Sequence, residues 1–90
     1  MNSVARLIEF LSIVSEGGEV SDEEVSSLPY EELSERLSKA ANSAYEHLLH
    51  FAGDEEIRTK NAEYDRMMRE GATATLKYLR EVLALEAENK

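Results

Sequence analysis

Apolar residues recur every three or four positions in the first stretch of the chain, at Val4, Leu7, Ile8, Leu11 and Val14. This spacing places them along one side of an α-helix, and Gly17-Gly18 provides a natural end for that helix. The pattern therefore predicts a helix over residues 3–15. Phe10 and Ile13 lie outside the main stripe, so most of the circumference is apolar. Such a helix is either central in a bundle or covered on its second side by another chain.

Two longer periodic segments predict an antiparallel helical hairpin. The first, over residues 29–52, has a seam of Tyr30, Leu33, Leu37, Ala40, Ala44, Leu48 and Phe51. The second, over residues 54–86, has a seam of Ile57, Asn61, Tyr64, Met68, Ala72, Thr75, Leu79 and Val82. Pro29 suits the first turn of a helix, where a missing N–H costs nothing. Gly53-Asp54 leaves almost no loop, so the two helices must run antiparallel.

The predicted fold is all-α, a three-helix bundle in which the N-terminal helix packs on the long hairpin. It forms a single domain over residues 1–90, with an acidic connecting segment at 16–28 and a tail at 87–90. The last helix would be about 48 Å long against about 36 Å for its neighbour. Either it kinks at Gly71 or a second copy covers the overhang, and we expect the second, a homodimer. The expected oligomer interface comprises Phe10, Ile13, Met67, Ala72 and Thr75.

Charge is spread unevenly along the sequence. The chain has 19 acidic and 10 basic residues, a net charge of −9, and its first 35 residues hold nine acids but only one base, Arg6. Within the connecting segment, Ser21-Asp22-Glu23-Glu24 has the spacing of a capping box and predicts a short helical turn to about residue 28. The long helices instead contain acid–base pairs at four-residue spacing: Glu32–Arg36, Glu35–Lys39, Asp54–Arg58, Glu56–Lys60 and Asp65–Arg69.

A concentrated negative field repels nucleic acid and anionic membranes and attracts basic proteins. The sequence thus favours a non-enzymatic interaction module that binds and inhibits or sequesters a basic partner protein. Its carboxylates would imitate nucleic-acid phosphates, as in phage inhibitors, nuclease-immunity proteins and some antitoxins. The expected partner-binding residues are Glu19, Asp22, Glu23, Glu24, Glu31, Glu32 and Glu35. The alternative is a structural or assembly subunit that acts through apolar helix faces, with the acids serving only solubility.

Catalytic and metal chemistry find little support in the sequence. The chain has no cysteine, which excludes disulfides and thiolate sites and is compatible with a reducing cytosol. Glu46 and His50 share a helical face, but a di-iron bundle site needs Glu-x-x-His on two helices. No glycine-rich phosphate loop and no His-Glu-x-x-His motif occurs. We expect no catalytic residue, no cofactor and no metal.

Direct contact with nucleic acid or membrane is also disfavoured. Binding to DNA needs lysine and arginine to neutralise phosphates, and acidic residues interrupt the basic ones between Arg66 and Arg80. The apolar stretch from Val4 to Val14 contains Arg6 and Glu9 and is far shorter than the about 20 residues of a membrane span. It also lacks the cleavage site of a signal peptide, so the expected location is the cytoplasm.

Overall fold

The structure, a computed structural model of the chain, describes residues 2–88, which form five helices. These are α1 (Asn2–Ser15), α2 (Asp22–Ser26), α3 (Glu35–Gly53), α4 (Glu55–Lys60) and α5 (Ala62–Glu88). No strand occurs over this range, so the all-α prediction is confirmed. The predicted tail differs in part, because α5 continues through Glu88, and the rest of that tail, residues 89–90, lies outside the described residues.

The bundle is built around α5, which packs against both α1 and α3. Contacts at the helix ends give the directions: Arg69 near the start of α5 reaches the carbonyl of Val14 at the end of α1. At the opposite end of the molecule, Ser34 before α3 donates to Glu86 near the end of α5. Thus α1 and α3 run parallel to each other and antiparallel to α5. Residues 16–34, here called the connector, run back along the bundle to join them.

The core is formed by the apolar faces of the three long helices and by the connector. Its buried members include Val4, Leu7, Phe10, Leu11 and Val14 of α1, Leu37, Ala44, Leu48 and Phe51 of α3, and Ala72, Leu76, Leu79 and Val82 of α5. Val20 and Val25 of the connector are buried in the same cluster. The connector is therefore a packed layer that closes the bundle on one side.

The helix predicted over residues 29–52 begins six residues later than expected. Pro29 starts no helix; the side chain of Ser34 instead caps α3 by accepting a hydrogen bond from the amide of Leu37. Tyr30, expected in the seam, is 93% exposed. The cause is a distant contact, because Glu31 accepts a hydrogen bond from the backbone amide of Ser3 and is thereby held against α1.

The helix predicted over residues 54–86 is interrupted at Asn61 and is continuous through Gly71. Asn61 has extended backbone angles (φ −138°, ψ 97°), and its side-chain oxygen accepts a hydrogen bond from the Tyr64 amide at the start of α5. The break separates α4 from α5. It turns Arg58 into the molecule, whereas Ile57, expected in the seam, is exposed.

Candidate functional site: the acidic connector

The connector begins with a sharp reversal at the end of α1. Gly17 has a φ of +99°, in the left-handed region that glycine enters without strain. Its amide donates to the Val14 carbonyl, and the Gly18 amide donates to the Ile13 carbonyl at 2.8 Å. This pair of bonds is a Schellman motif, which satisfies carbonyls that the helix end would leave unpaired. The predicted stop at Gly17-Gly18 is thus confirmed, and it directs the chain back over the bundle.

A buried ionic network holds the first end of the connector. The Glu19 carboxylate accepts hydrogen bonds from Arg58 Nη1 at 3.1 Å and Nη2 at 3.0 Å. Arg58 is only 4% exposed, its Nε donates to the Phe51 carbonyl at 2.9 Å, and its guanidinium lies 3.5 Å from the centre of the Phe51 ring. Its Nη1 also donates to Asp65. A buried guanidinium is stable here because two carboxylates, one carbonyl and one aromatic face surround it.

Arg69 completes this network from α5. Its Nη1 donates to the carbonyls of Val14 at 3.0 Å and Gly18 at 2.7 Å, at the negative end of α1, and its Nη2 donates to Glu19. Its Nε donates to Asp65 at 2.8 Å, as the predicted pairing of these residues requires. The hydrogen bond from Arg58 lowers the pKa of Glu19, and the one from Arg69 lowers the pKa of Asp65. Both carboxylates therefore stay ionised well into the acid range.

The middle of the connector is the short helix α2. Ser21 Oγ accepts a hydrogen bond from the Glu24 amide at 3.0 Å, and the Glu24 carboxylate accepts one from the Ser21 amide at 3.1 Å. This is the predicted capping box. Val25 is fully buried and α2 packs against α3, so α2 is held by its cap and by one apolar side chain.

A second set of contacts holds the far end. Glu31 accepts hydrogen bonds from both the amide and the hydroxyl of Ser3, and these bonds lower its pKa. Next to it, Glu86 accepts hydrogen bonds from Ser34 and from Arg36, the latter at 2.9 Å. Arg36 therefore pairs with α5 and not with Glu32 as predicted. The predicted pair of Asp54 with Arg58 is likewise replaced by the buried network.

Four of the seven predicted partner-binding residues have structural roles within the chain. Glu19 and Glu31 anchor the two ends of the connector, and Glu24 closes the cap of α2. Glu35 lies in the first turn of α3 and pairs with Lys39 at 3.6 Å, although both side chains are largely exposed. Removing Glu19, Glu24 or Glu31 would therefore perturb the fold, whereas the exposed pair of Glu35 with Lys39 contributes little to stability.

The other three, Asp22, Glu23 and Glu32, are exposed and unpaired. Across residues 2–88, none of their side-chain carboxylates makes a hydrogen bond or an ion pair. Asp22 and Glu23 lie between the two anchors, Glu19 and Glu31, which are separated by about the length of α1, about 20 Å, and Glu32 directly follows the second anchor. The structure thus presents an extended acidic strip on a fixed backbone and not one compact patch.

The residues expected at an oligomer interface divide in a similar way. Phe10 and Ala72 are buried inside the single chain, and Ile13 and Thr75 are partly buried. Met67 is 55% exposed. Of these five positions, only Met67 presents most of its side chain to a partner.

The network around buried Arg58 and partly buried Arg69 was missed by the sequence reasoning, which assigned both arginines only to local acid–base pairs. A signal existed only for Arg69, whose spacing from Asp65 is that of an ion pair. For metal binding, no group of three or more histidine, aspartate or glutamate side chains comes together between residues 2 and 88. His47 Nε2 is hydrogen-bonded to the Met68 carbonyl at 2.9 Å, and Glu46 and His50 are exposed.

No helix between residues 2 and 88 is long and apolar enough to cross a membrane. No protein-family model matches the chain, and no curated protein and no solved structure is significantly similar to it. The connector, fixed at both ends and acidic between them, is therefore the feature on which a functional proposal must rest.

Proposed function

We propose that the chain is a non-enzymatic interaction module whose connector binds a basic partner protein and inhibits or sequesters it. The observation that carries the proposal is the exposure of Asp22, Glu23 and Glu32, unpaired within residues 2–88, on a segment that is anchored at both ends. Pre-positioned carboxylates lose little conformational entropy on binding, which favours association. Such a strip fits a basic groove of the kind that binds a nucleic-acid backbone. We place the encounter in the cytoplasm.

The proposed attraction acts mainly on the rate of association. Complementary charges steer two proteins together, and salt weakens this steering because the Debye length falls from about 10 Å at 0.1 M to about 3 Å at 1 M. We expect reversal of Asp22, Glu23 and Glu32 to lysine to slow association at least about tenfold at low salt. Glu24 is left intact, because its loss would open the cap of α2.

A matched variant separates position from net charge. Glu46, Glu55 and Glu63 are exposed and lie outside the connector, and their carboxylates make no hydrogen bond or ion pair within residues 2–88. Their reversal to lysine changes the net charge by the same amount. Both triple variants and the unaltered chain serve as bait in lysate at low and high salt, and thermal unfolding verifies their fold.

The proposal expects a basic protein that binds the unaltered chain and the control triple, dissociates in high salt and does not bind the connector triple. Equal binding by both triples would remove the connector from the interaction.

A second candidate function is assembly through an apolar helix face, which would make the chain a structural subunit and a homodimer. One observation favours it: exposed apolar side chains are concentrated on α5. Partner binding that is lost on polar replacement of these side chains, and unchanged by reversal of the connector acids, would favour assembly over charged docking.

A further inference from the structure

One side of α5 carries an exposed apolar strip. Of the five large apolar side chains that are exposed within residues 2–88, three lie on this helix: Met67 at 55%, Tyr78 at 52% and Leu85 at 44%. Together with exposed Ala74 they follow one another at intervals of 7, 4 and 7 residues. With 3.6 residues per turn, these intervals keep all four on the same side of the helix.

The spacing of these four residues is the same in both directions along the helix. Intervals of 7, 4 and 7 residues are symmetric about Leu76, so a two-fold axis level with Leu76 brings Met67 opposite Leu85 of a second copy. It also brings Ala74 opposite Tyr78 of that copy, so that each phenol ring meets a small side chain. An interface between two identical chains related by a two-fold axis needs a surface of this self-complementary kind.

We infer that a second copy of this chain covers the strip, with the two α5 helices antiparallel. The inference gives the proposed homodimer its interface and direction. It uses another side of the bundle from α2, which contacts α3 and not α5, so it does not depend on what the connector binds.

One pair of opposite charges at the edge of the strip fits this register, whereas the same axis also brings Glu70 next to Glu81 of the second copy, one residue out of register. Arg66 and Glu88 are exposed, and neither forms an ion pair within residues 2–88. The two-fold axis places Arg66 of each copy level with residue 86 of the other copy. Glu88 lies only two residues further along the helix, about 3 Å, so it is next to Arg66. Opposite charges therefore meet twice at the ends of the strip.

The side that contains α5 is large enough for a stable dimer. A typical specific interface buries about 800 Å² per partner. The molecule measures 46 by 23 Å across its two longest directions, and α5 extends along most of the longer one. Two bundles laid side by side along α5 can thus bury an area of the usual size.

Sedimentation equilibrium of the full chain tests association, with a mass twice the 10.2 kDa of one chain as the expected result. Replacing Tyr78 and Leu85 by glutamine should raise the dissociation constant at least tenfold. The matched control replaces Tyr30 and Ile57, which are at least as exposed but lie off α5, and should change it less than twofold. A monomer at all concentrations, or equal effects of both pairs, would overturn the inference.

Disulfide cross-linking tests the direction, since the chain has no cysteine of its own. Met67→Cys and Leu85→Cys chains refolded together should form a cross-linked heterodimer, because their Cα atoms come within the about 4.4–6.8 Å that a disulfide needs. Either variant alone should not, because antiparallel copies hold its two cysteines about 27 Å apart. Efficient cross-linking of Met67→Cys with itself would indicate parallel helices and refute the antiparallel register.

Discussion

Replacement of Arg58 by alanine should be among the most destabilising substitutions in this protein. The guanidinium is buried, donates two hydrogen bonds to Glu19, one to Asp65 and one to the Phe51 carbonyl, and stacks on the Phe51 ring. Alanine leaves the Phe51 carbonyl without this donor and two carboxylates with only Arg69 as a cationic partner. Breaking a fully buried ion pair by removing one member costs about 3–5 kcal/mol, and because Glu19 is half exposed we expect the lower end, about 3 kcal/mol.

That loss is large compared with the stability of a small domain. A chain of this length has a free energy of unfolding of about 5–13 kcal/mol, so the alanine variant should lose a large share of its stability and unfold at a clearly lower urea concentration. Arg58→Lys is the informative intermediate, because lysine keeps the charge but cannot donate to Glu19, Asp65 and Phe51 together. We expect it to cost about 2 kcal/mol and to remain folded.

Urea denaturation followed by circular dichroism at pH 7 measures these differences. Arg66→Ala is the matched control, because Arg66 lies on α5, is exposed and has no ion-pair partner within residues 2–88; its cost should be below about 0.5 kcal/mol. Hydrogen exchange adds a local reading, since Arg58→Lys should free the first anchor and accelerate exchange at the Val25 amide more than within α5. Equal costs for Arg58→Ala and Arg66→Ala would refute the argument that the network holds the connector.

Two further predictions concern acid and the packing of α5. Hydrogen bonds from Arg58 and Arg69 lower the pKa values of Glu19 and Asp65. Their contribution to the free energy of unfolding is therefore fully present above the ordinary pKa values of 4.5 and 3.8, and it is lost as pH falls through the lowered values. The urea midpoint should therefore drop below about pH 4.5, and less steeply in Glu19→Gln; parallel pH curves would contradict this. At Gly71 an added Cβ would lie 2.7 Å from His47 Cε1. Gly71→Ala should thus stabilise the fold by about 1 kcal/mol, its gain in helix propensity, only in a His47→Ala background. Thermal unfolding of the unaltered chain, the two single variants and the double variant should show this coupling, and an equal effect of Gly71→Ala in both backgrounds would exclude it.

Local patterns in the sequence predicted most contacts between groups within about five residues of one another, although the predicted pairs Glu32–Arg36 and Asp54–Arg58 are replaced by contacts with more distant residues. The capping box at Ser21, the reversal at Gly17-Gly18 and the pairing of Asp65 with Arg69 were all predicted and are present. Each depends on side chains and amides that a single helical turn brings together. The periodic stripes likewise predicted the long helices and most of the core, because burial of one face follows directly from helical spacing.

The candidate site was predicted only in part. The sequence identified an acidic segment and a short capped helix within it, but treated its seven carboxylates as equivalent. Three of them, Asp22, Glu23 and Glu32, are exposed and unpaired within residues 2–88, whereas Glu19 and Glu31 hold the segment in place. Which carboxylate anchors and which stays free depends on residues distant in sequence, and no local pattern contains that information.

The largest differences from the prediction have the same physical origin. Residues 29–34 have good helical spacing, yet they form no helix because Glu31 bonds to Ser3, 28 residues away. The last helix is interrupted at Asn61, and Arg58 before the break turns inward to meet Glu19, 39 residues away. In both places contacts between remote segments outweigh a helical preference that amounts to only a few tenths of a kcal/mol per residue. Helix-forming tendency is encoded locally, whereas the ends of these helices depend on partners that only folding brings together.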